Sequence, residues 1–213
     1  TGRIWPVRRK TLTLKPPSIT HTRDRHDMDF NLISQHLAQY QGERRIPPLD
    51  QWHPPFCGDM DLTIKANGEW WHEGRRMTRQ KLIDLFATVL WREGDAYFLK
   101  TPVEKIGIQV EDVPLFIEEV NLLQLADGAY IECLTTHQDR IVLDSAHLLQ
   151  MRAFQGELKP YVNIRANLDA RIARHAFYHI VSWCDLQEDG EHTVLSIPMG
   201  ATRQHLSTDN TAF

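Results

Sequence analysis

The sequence predicts an α+β protein in two parts, with a β-rich antiparallel meander or small barrel and two related strand–helix–strand units. Two observations carry this. From Ala96 to Asp144, short apolar or alternating segments follow one another with tight turns between them, as in a meander. The stretches "LIDLFATVLWREGDAYFLKTP" and "AFYHIVSWCDLQEDGEHTVLSIP" also share one plan: an apolar helix, a tryptophan near its end, an acidic-glycine turn, a short strand and a proline. A strand precedes each helix. Such an echo speaks to architecture, not chemistry.

The elements follow in order. "DFNLISQHLAQY" sets Phe30, Ile33, Leu37 and Tyr40 at helical spacing, with Asp29 or Asn31 to cap it. "IPPLDQWHPPF" carries two Pro-Pro pairs, which forbid helix, so it is an extended strap pinned by Trp52 and Phe56. In "CGDMDLTIKANGEWWHEG", Leu62, Ile64 and Ala66 alternate with Asp61, Thr63 and Lys65, and Asn67-Gly68 marks a turn. Two registers compete. A two-residue turn pairs Ile64 with Trp71 and drags Glu69 and Glu73 onto the apolar face. A three-residue loop with Gly68 left-handed pairs Ile64 with Trp70 and sends both glutamates outward. Burying unpaired carboxylates costs several kcal/mol, which selects the second. Asp59 and Asp61 then face away from His72, so the hairpin is not a metal site.

"TRQKLIDLFATVLWRE" reads as one helix, capped by Thr78 and ended by Gly94, with Leu82, Ile83, Phe86, Val89 and Leu90 as its stripe. "AYFLKTP", "VEKIGIQVED", "LFIEEVNLLQL", "AYIECLTT" and "RIVLD" read as strands. Residues 146–158 read as irregular and "PYVNIR" as a strand. "LDARIARHAFYHIVSWC" reads as a helix with Leu168, Ile172, Ala176, Ile180 and Trp183 on its apolar face, and "HTVLSIPM" as the last strand. The expected organisation is a leader over 1–27, an N-terminal α+β unit over 28–103, a β-rich C-terminal unit over 104–200 and a flexible tail over 201–213.

Composition limits the function. The chain of 213 residues is 42% hydrophobic and 24% charged, ordinary for a globular protein. No run approaches the ~18 apolar residues of a membrane span, and no signal peptide is visible. Cys57, Cys133 and Cys184 are far apart and odd in number, so a reducing cytoplasm is the expected location. Residues 1–27 hold seven of the 24 basic residues but two of the 28 acidic ones, which leaves a strongly acidic body that repels nucleic acid. That leader is aperiodic and broken by Pro16-Pro17, while Met28 directly precedes the first amphipathic segment. Met28 is the expected start, and 1–27 disordered or translated upstream sequence.

Nucleophile elbows, phosphate loops, dinucleotide fingerprints and HExxH zinc motifs are missing from the sequence. "DSAH" at 144–147 packs Asp, Ser and His too closely for a triad. His175 and His179 share a helix face at i, i+4 but have no third ligand at an obvious spacing, so no metal and no cofactor are expected. The suggestive cluster is "TPVEKIGIQVEDVP". Glu104 and Asp112 share the parity of Ile106, Ile108 and Val110, at either end of the apolar row, while Lys105 and Glu111 point the other way. Carboxylates at the rim of an apolar face are paired or hydrogen-bonded. They serve either as acid–base catalysts with shifted pKa values or as anchors held by backbone or by an arginine such as Arg165. The anchoring reading is preferred.

"CGDMDLTIKANGEWWHEG", "LIDLFATVLWREGDAYFLKTPVEKIGIQVEDVPLF" and "PYVNIRANLDARIARHAFYHIV" resemble the bacterial family called domain of unknown function 1285, from about Phe56 to Gly200. His72 stands where an aromatic is usual and His175 where proline is frequent, which would bend the second helix near Arg174. The resemblance implies a two-part α+β protein with a repeated motif. It assigns no reaction and no catalytic residues, and suggests signalling or ligand binding. The expected function is therefore a non-enzymatic regulatory module that binds a small ligand or protein partner in a groove between its units. Glu104, Lys105, Glu111, Asp112 and Arg165 are its candidate ligand residues. The alternative is a hydrolase or other enzyme using Glu104 and Asp112.

Overall fold

The computed structural model describes residues 46–189 and 192–209. The expected leader, the start at Met28 and the helix around Phe30 to Tyr40 lie outside them. A short 3-10 turn at Leu49–Gln51 leads into six strands of the first sheet: β1 (Phe56–Ile64), β2 (Trp70–His72), β3 (Arg75–Arg76), β4 (Leu90–Glu93), β5 (Ala96–Lys100) and β6 (Lys105–Val110). Helix α1 (Gln80–Thr88) lies between β3 and β4. The second sheet holds β7 (Leu115–Leu125), β8 (Gly128–Thr135), β9 (Arg140–Val142), β10 (Leu149–Phe154), β11 (Glu157–Arg165), β12 (Leu168–Ile172), β13 (Asp185–Asp189), β14 (His192–Met199) and β15 (Thr202–Asp209). Helix α2 (Arg174–Ser182) follows β12. The protein is thus α+β and β-rich.

The strand order of the first sheet is β3-β2-β1-β6-β5-β4, with β1 and β6 parallel. The second runs β10-β11-β12-β7-β8-β14-β13, with β15 on β14 and β9 on β8. There β12 and β7 are parallel. The two parallel joins depart from a simple antiparallel meander. The second sheet curls into a nearly closed barrel. At its seam the Gln204 side chain of β15 donates to Leu149 O (2.6 Å) and accepts from Leu149 N–H (3.0 Å) on β10. Residues 111–114 join the two sheets, so β6 belongs to the first sheet although a division after 103 was expected.

The hairpin register is the expected one. Ile64 pairs with Trp70, and Gly68 takes φ +86°. Trp70 is buried against Phe86, at 6.4 Å between centroids, whereas Trp71 stays half-buried and donates its indole N–H to Glu69. Gly68 is held tightly: a Cβ there would stand 3.1 Å from the Phe116 ring on β7, so the hairpin tip touches the second sheet.

Several expectations are corrected. Helix α1 stops at Thr88, and Leu90–Glu93 is a strand paired with β5. Arg79, not Thr78, is its N-cap, without a side-chain capping bond. Leu168–Ile172 is strand β12, and α2 starts at Arg174. The reason lies in the spacing. Leu168, Ala170 and Ile172 alternate with Asp169 and Arg171, and positions i and i+4 fall on one face in either period. Ala166 and Asn167, at φ 45° and 61°, make the tight turn that decides for a strand. Position 175 sits in the first turn of α2, where a proline needs no bend. Residues 149–154 form β10, turned into β11 by Gln155-Gly156 at φ 52° and 81°. The expected flexible tail contains β15, paired with β14 over eight residues. Phe56 does not pin the strap; it is 55% exposed and rests on the edge of Phe98.

Apolar side chains of both sheets and both helices form one buried cluster, from Leu62, Trp70 and Leu99 through Leu115 and Ile131 to Ile180 and Ile197.

Candidate functional site

The outer face of β10-β11-β12 turns polar and aromatic where it meets the first sheet. Tyr161 on β11 and Arg171 on β12 are cross-strand partners and share this face. Asp112, from the connection between sheets, reaches both. It accepts the Tyr161 hydroxyl at 3.0 and 3.1 Å and Arg171 Nη1 at 2.6 Å. Arg171 Nη2 donates to the Ala66 carbonyl at the hairpin tip, and its guanidinium lies 5.0 Å from the Phe116 ring centre. The Asp112 side chain is 7% exposed. Burial, and then the Asp112 carboxylate, push the Tyr161 phenol above its ordinary value. A second tie runs from Arg92 on β4 to Asp169 on β12 (3.6 Å), which also receives Arg152 (3.0 Å).

The five expected site residues do not converge. The Asp112 carboxylate is held by an arginine, but by Arg171 rather than Arg165, and the expected anchoring of the Glu104 carboxylate is not seen among the described residues. Arg165 donates to Ala87 O (2.6 Å) at the end of α1 and lies 3.4 Å from Asp139, where a cation suits the helix C-terminus. Glu111 is exposed and held by Lys65 Nζ (2.8 Å) and Ala66 N–H (2.9 Å), and the Lys65 bond is the larger reason its carboxyl sits below the usual range. Lys105 bonds Glu93 (2.6 Å) and lies over the Phe98 ring. Glu104 tightens the turn before β6 through its backbone, with its N–H on Thr101 Oγ1 and its carbonyl accepting Thr101 N–H (2.9 Å). Its carboxylate has no hydrogen bond to a described residue. The six-residue strand β6 runs between Glu104 and Asp112, roughly 20 Å at 3.3 Å per residue. They do not share a site.

Beside Arg171 the junction opens into a cavity of about 520 Å³. The first half contributes Gly68, Glu69, Trp70, Arg76, Thr78 and Gln80 to its wall. The second contributes Phe116, Glu118, Thr136, His137, Arg171 and Ala173. Its charges come largely paired: Arg76 with Glu69 (3.1 Å), Arg171 with Asp112, and His137 with Asp84 (3.0 Å). Trp70 is 2% exposed, yet its indole N–H has no acceptor among the described residues, which is uncommon for a buried donor. Sequence reasoning missed Arg171, Tyr161, Arg76 and His137. Strict alternation over Leu168–Ile172 was the signal for Arg171; the others are brought in by long-range contacts that no spacing encodes.

The remaining motifs are structural. Asp144 caps its own turn, accepting Ala146 N–H (2.8 Å) and His147 N–H (2.9 Å). His175 bonds the Glu118 carbonyl (2.7 Å), and His179 stacks on Trp183. Among the described residues no three His, Cys, Asp or Glu side chains gather as metal ligands, and no described helix is long and apolar enough to cross a membrane.

Residues 47–113 match the N-terminal domain, and 114–201 the C-terminal domain, of the domain of unknown function DUF1285. The chain belongs to the DUF1285 family. The boundary between the two family domains falls at the connection that carries Asp112. Among solved structures, a DUF1285 protein from Silicibacter pomeroyi DSS-3 is 31% identical with a TM-score of 0.70, covering 81% of this chain and 94% of that one. A second, from Shewanella baltica OS155, is 28% identical with a TM-score of 0.47, covering 58% of this chain and 91% of that one. No curated protein matches the chain.

Proposed function

We propose that this DUF1285 protein is a regulatory binding module for a small polar ligand held in the junction cavity. The observation that carries the reading is that both halves build this cavity. Its volume lies within the range of small-molecule sites. Because Arg76, Arg171 and His137 already have carboxylate partners, it offers hydrogen bonds with little net charge. A neutral or zwitterionic molecule fits better than a strong anion. The hydrolase alternative would need Glu104 and Asp112 side by side, and they stand far apart.

We also read the two helix–hairpin segments as related units. Each has a nine-residue helix followed by an antiparallel pair, β4–β5 after α1 and β13–β14 after α2. The cavity sits at the start of both helices, lined by Gln80 of α1 and by Ala173, the N-cap of α2. A location in the cytoplasm, without nucleic acid or membrane as partner, fits the acidic body and the unpaired cysteines.

The test is a thermal-shift screen of neutral and zwitterionic metabolites on the protein and on Thr136→Trp, which fills the cavity from an exposed wall position. A ligand at 100 times its Kd should add about 2.7 kcal/mol to the parent and nothing to the variant. A stabiliser that acts equally on both places the site elsewhere.

A further inference from the structure

A second cavity, of about 400 Å³, lies between the β10–β11 hairpin, the end of β12 and helix α2. Its chemistry differs from that of the junction. Met151, Pro160, Ile172 and Phe177 supply an apolar lining. Leu158 and Tyr178 also line it, yet they are 48% and 61% exposed, so large apolar surface is left in water at the groove. Three cations line it, Lys159, Arg171 and Arg174, against one carboxylate, Glu157. Glu157 is held by Lys159 at 2.8 Å, with Arg174 a weaker influence on it, and Arg171 is held by Asp112. Arg174 forms no ion pair with a described residue.

We propose that this groove is a second binding site, for a small amphipathic anion: a carboxylate carried on an acyl chain or an aryl body. The apolar lining takes the chain and Arg174 takes the carboxylate. The groove is concave and its volume suits a small molecule. The excess of cations selects an anion over the neutral ligand of the junction cavity. The two cavities share Arg171 and Ala173 in their walls, but Arg174, Phe177, Leu158 and Met151 line only this one, and this inference does not rest on the junction reading.

Calorimetric titration of the full chain with hexanoate, octanoate and 1-octanol tests it. Each buried methylene adds about fourfold in affinity, so octanoate should bind about 15-fold tighter than hexanoate. It should bind about tenfold or more tighter than 1-octanol, the worth of one charge-assisted hydrogen bond. Arg174→Glu and Leu158→Ser change exposed residues and should keep the parent melting temperature. Each should weaken octanoate binding, while Thr136→Trp leaves it unchanged. Equal affinity for octanoate and octanol, absence of saturable heat, or unchanged binding in Arg174→Glu overturns the proposal. So does concentration-dependent self-association that Leu158→Ser abolishes, which would assign the groove to a second copy of the chain.

Discussion

Arg171 holds three parts of the chain at once: the hairpin tip through Ala66, the inter-sheet connection through Asp112, and its own strand partner through the Asp112–Tyr161 contact. Asp112→Asn keeps the shape but removes the charge and turns one acceptor oxygen into a donor. It should cost about 1–3 kcal/mol. Glu104→Gln should stay within about 0.5 kcal/mol, because its carboxylate holds nothing among the described residues. Urea midpoints of the two variants beside the parent check this, and equal large losses would give Glu104 a partner that the geometry does not show. A pH dependence follows from the phenols. Burial first, and then nearby carboxylates, raise Tyr97 and Tyr161 above their ordinary value of 10.0. As pH climbs through about 10, the unfolded phenols release protons that the folded ones keep. The unfolded state then binds fewer protons, and stability falls with rising pH. This contribution is fully present below about pH 10 and is lost above it. Urea midpoints of the parent should therefore drop more steeply between about pH 9 and 11 than those of the Tyr97→Phe, Tyr161→Phe double variant. Parallel curves would remove the phenols from the account.

At the scale of elements, the β1–β2 hairpin was readable because one register buries two glutamates and the other does not. Trp70→Ala should cost about 3–5 kcal/mol, while Trp71→Ala, which loses a half-buried ring and one hydrogen bond, should cost much less. Reversed losses in denaturant melts would mean the wrong register. The strands flanking the helices were not readable. Val89 and Leu90 continue the stripe of α1, and Leu168 and Ile172 are spaced by four, so their apolar positions satisfy both periods. Only the turns separate the two, and Ala166-Asn167 and Gln155-Gly156 are weaker signals than Asn67-Gly68. Strand β15 was hidden for another reason: "TRQHLSTD" has one large apolar residue, Leu206, and is placed by its ladder to β14 and by Gln204. Gln204→Ala strands the N–H and carbonyl of fully buried Leu149, at about 1–3 kcal/mol for each group left unpaired. A midpoint unchanged within error would show that the barrel seam closes without it.

For the whole molecule, the α+β class and the family were legible from local pattern and motif, whereas the site was not. Asp112 and Arg171 stand 59 residues apart, and Trp70 meets His137 only because the hairpin tip and the β8–β9 turn close on one junction. Contacts of that range follow from how two sheets pack, which no local spacing records. The continuous core and the Arg171 and Arg92 ties make the halves one body, so the cavity between them is a built feature of the fold. In the proposed function both halves bind the same ligand there. Amide hydrogen exchange of the full chain, with and without the strongest stabiliser from the metabolite screen, tests it most directly. Added protection is expected at Asn67–Trp70 in the first half together with Thr136, His137 and Ala173 in the second. Protection confined to one half, or appearing away from both segments, would contradict it.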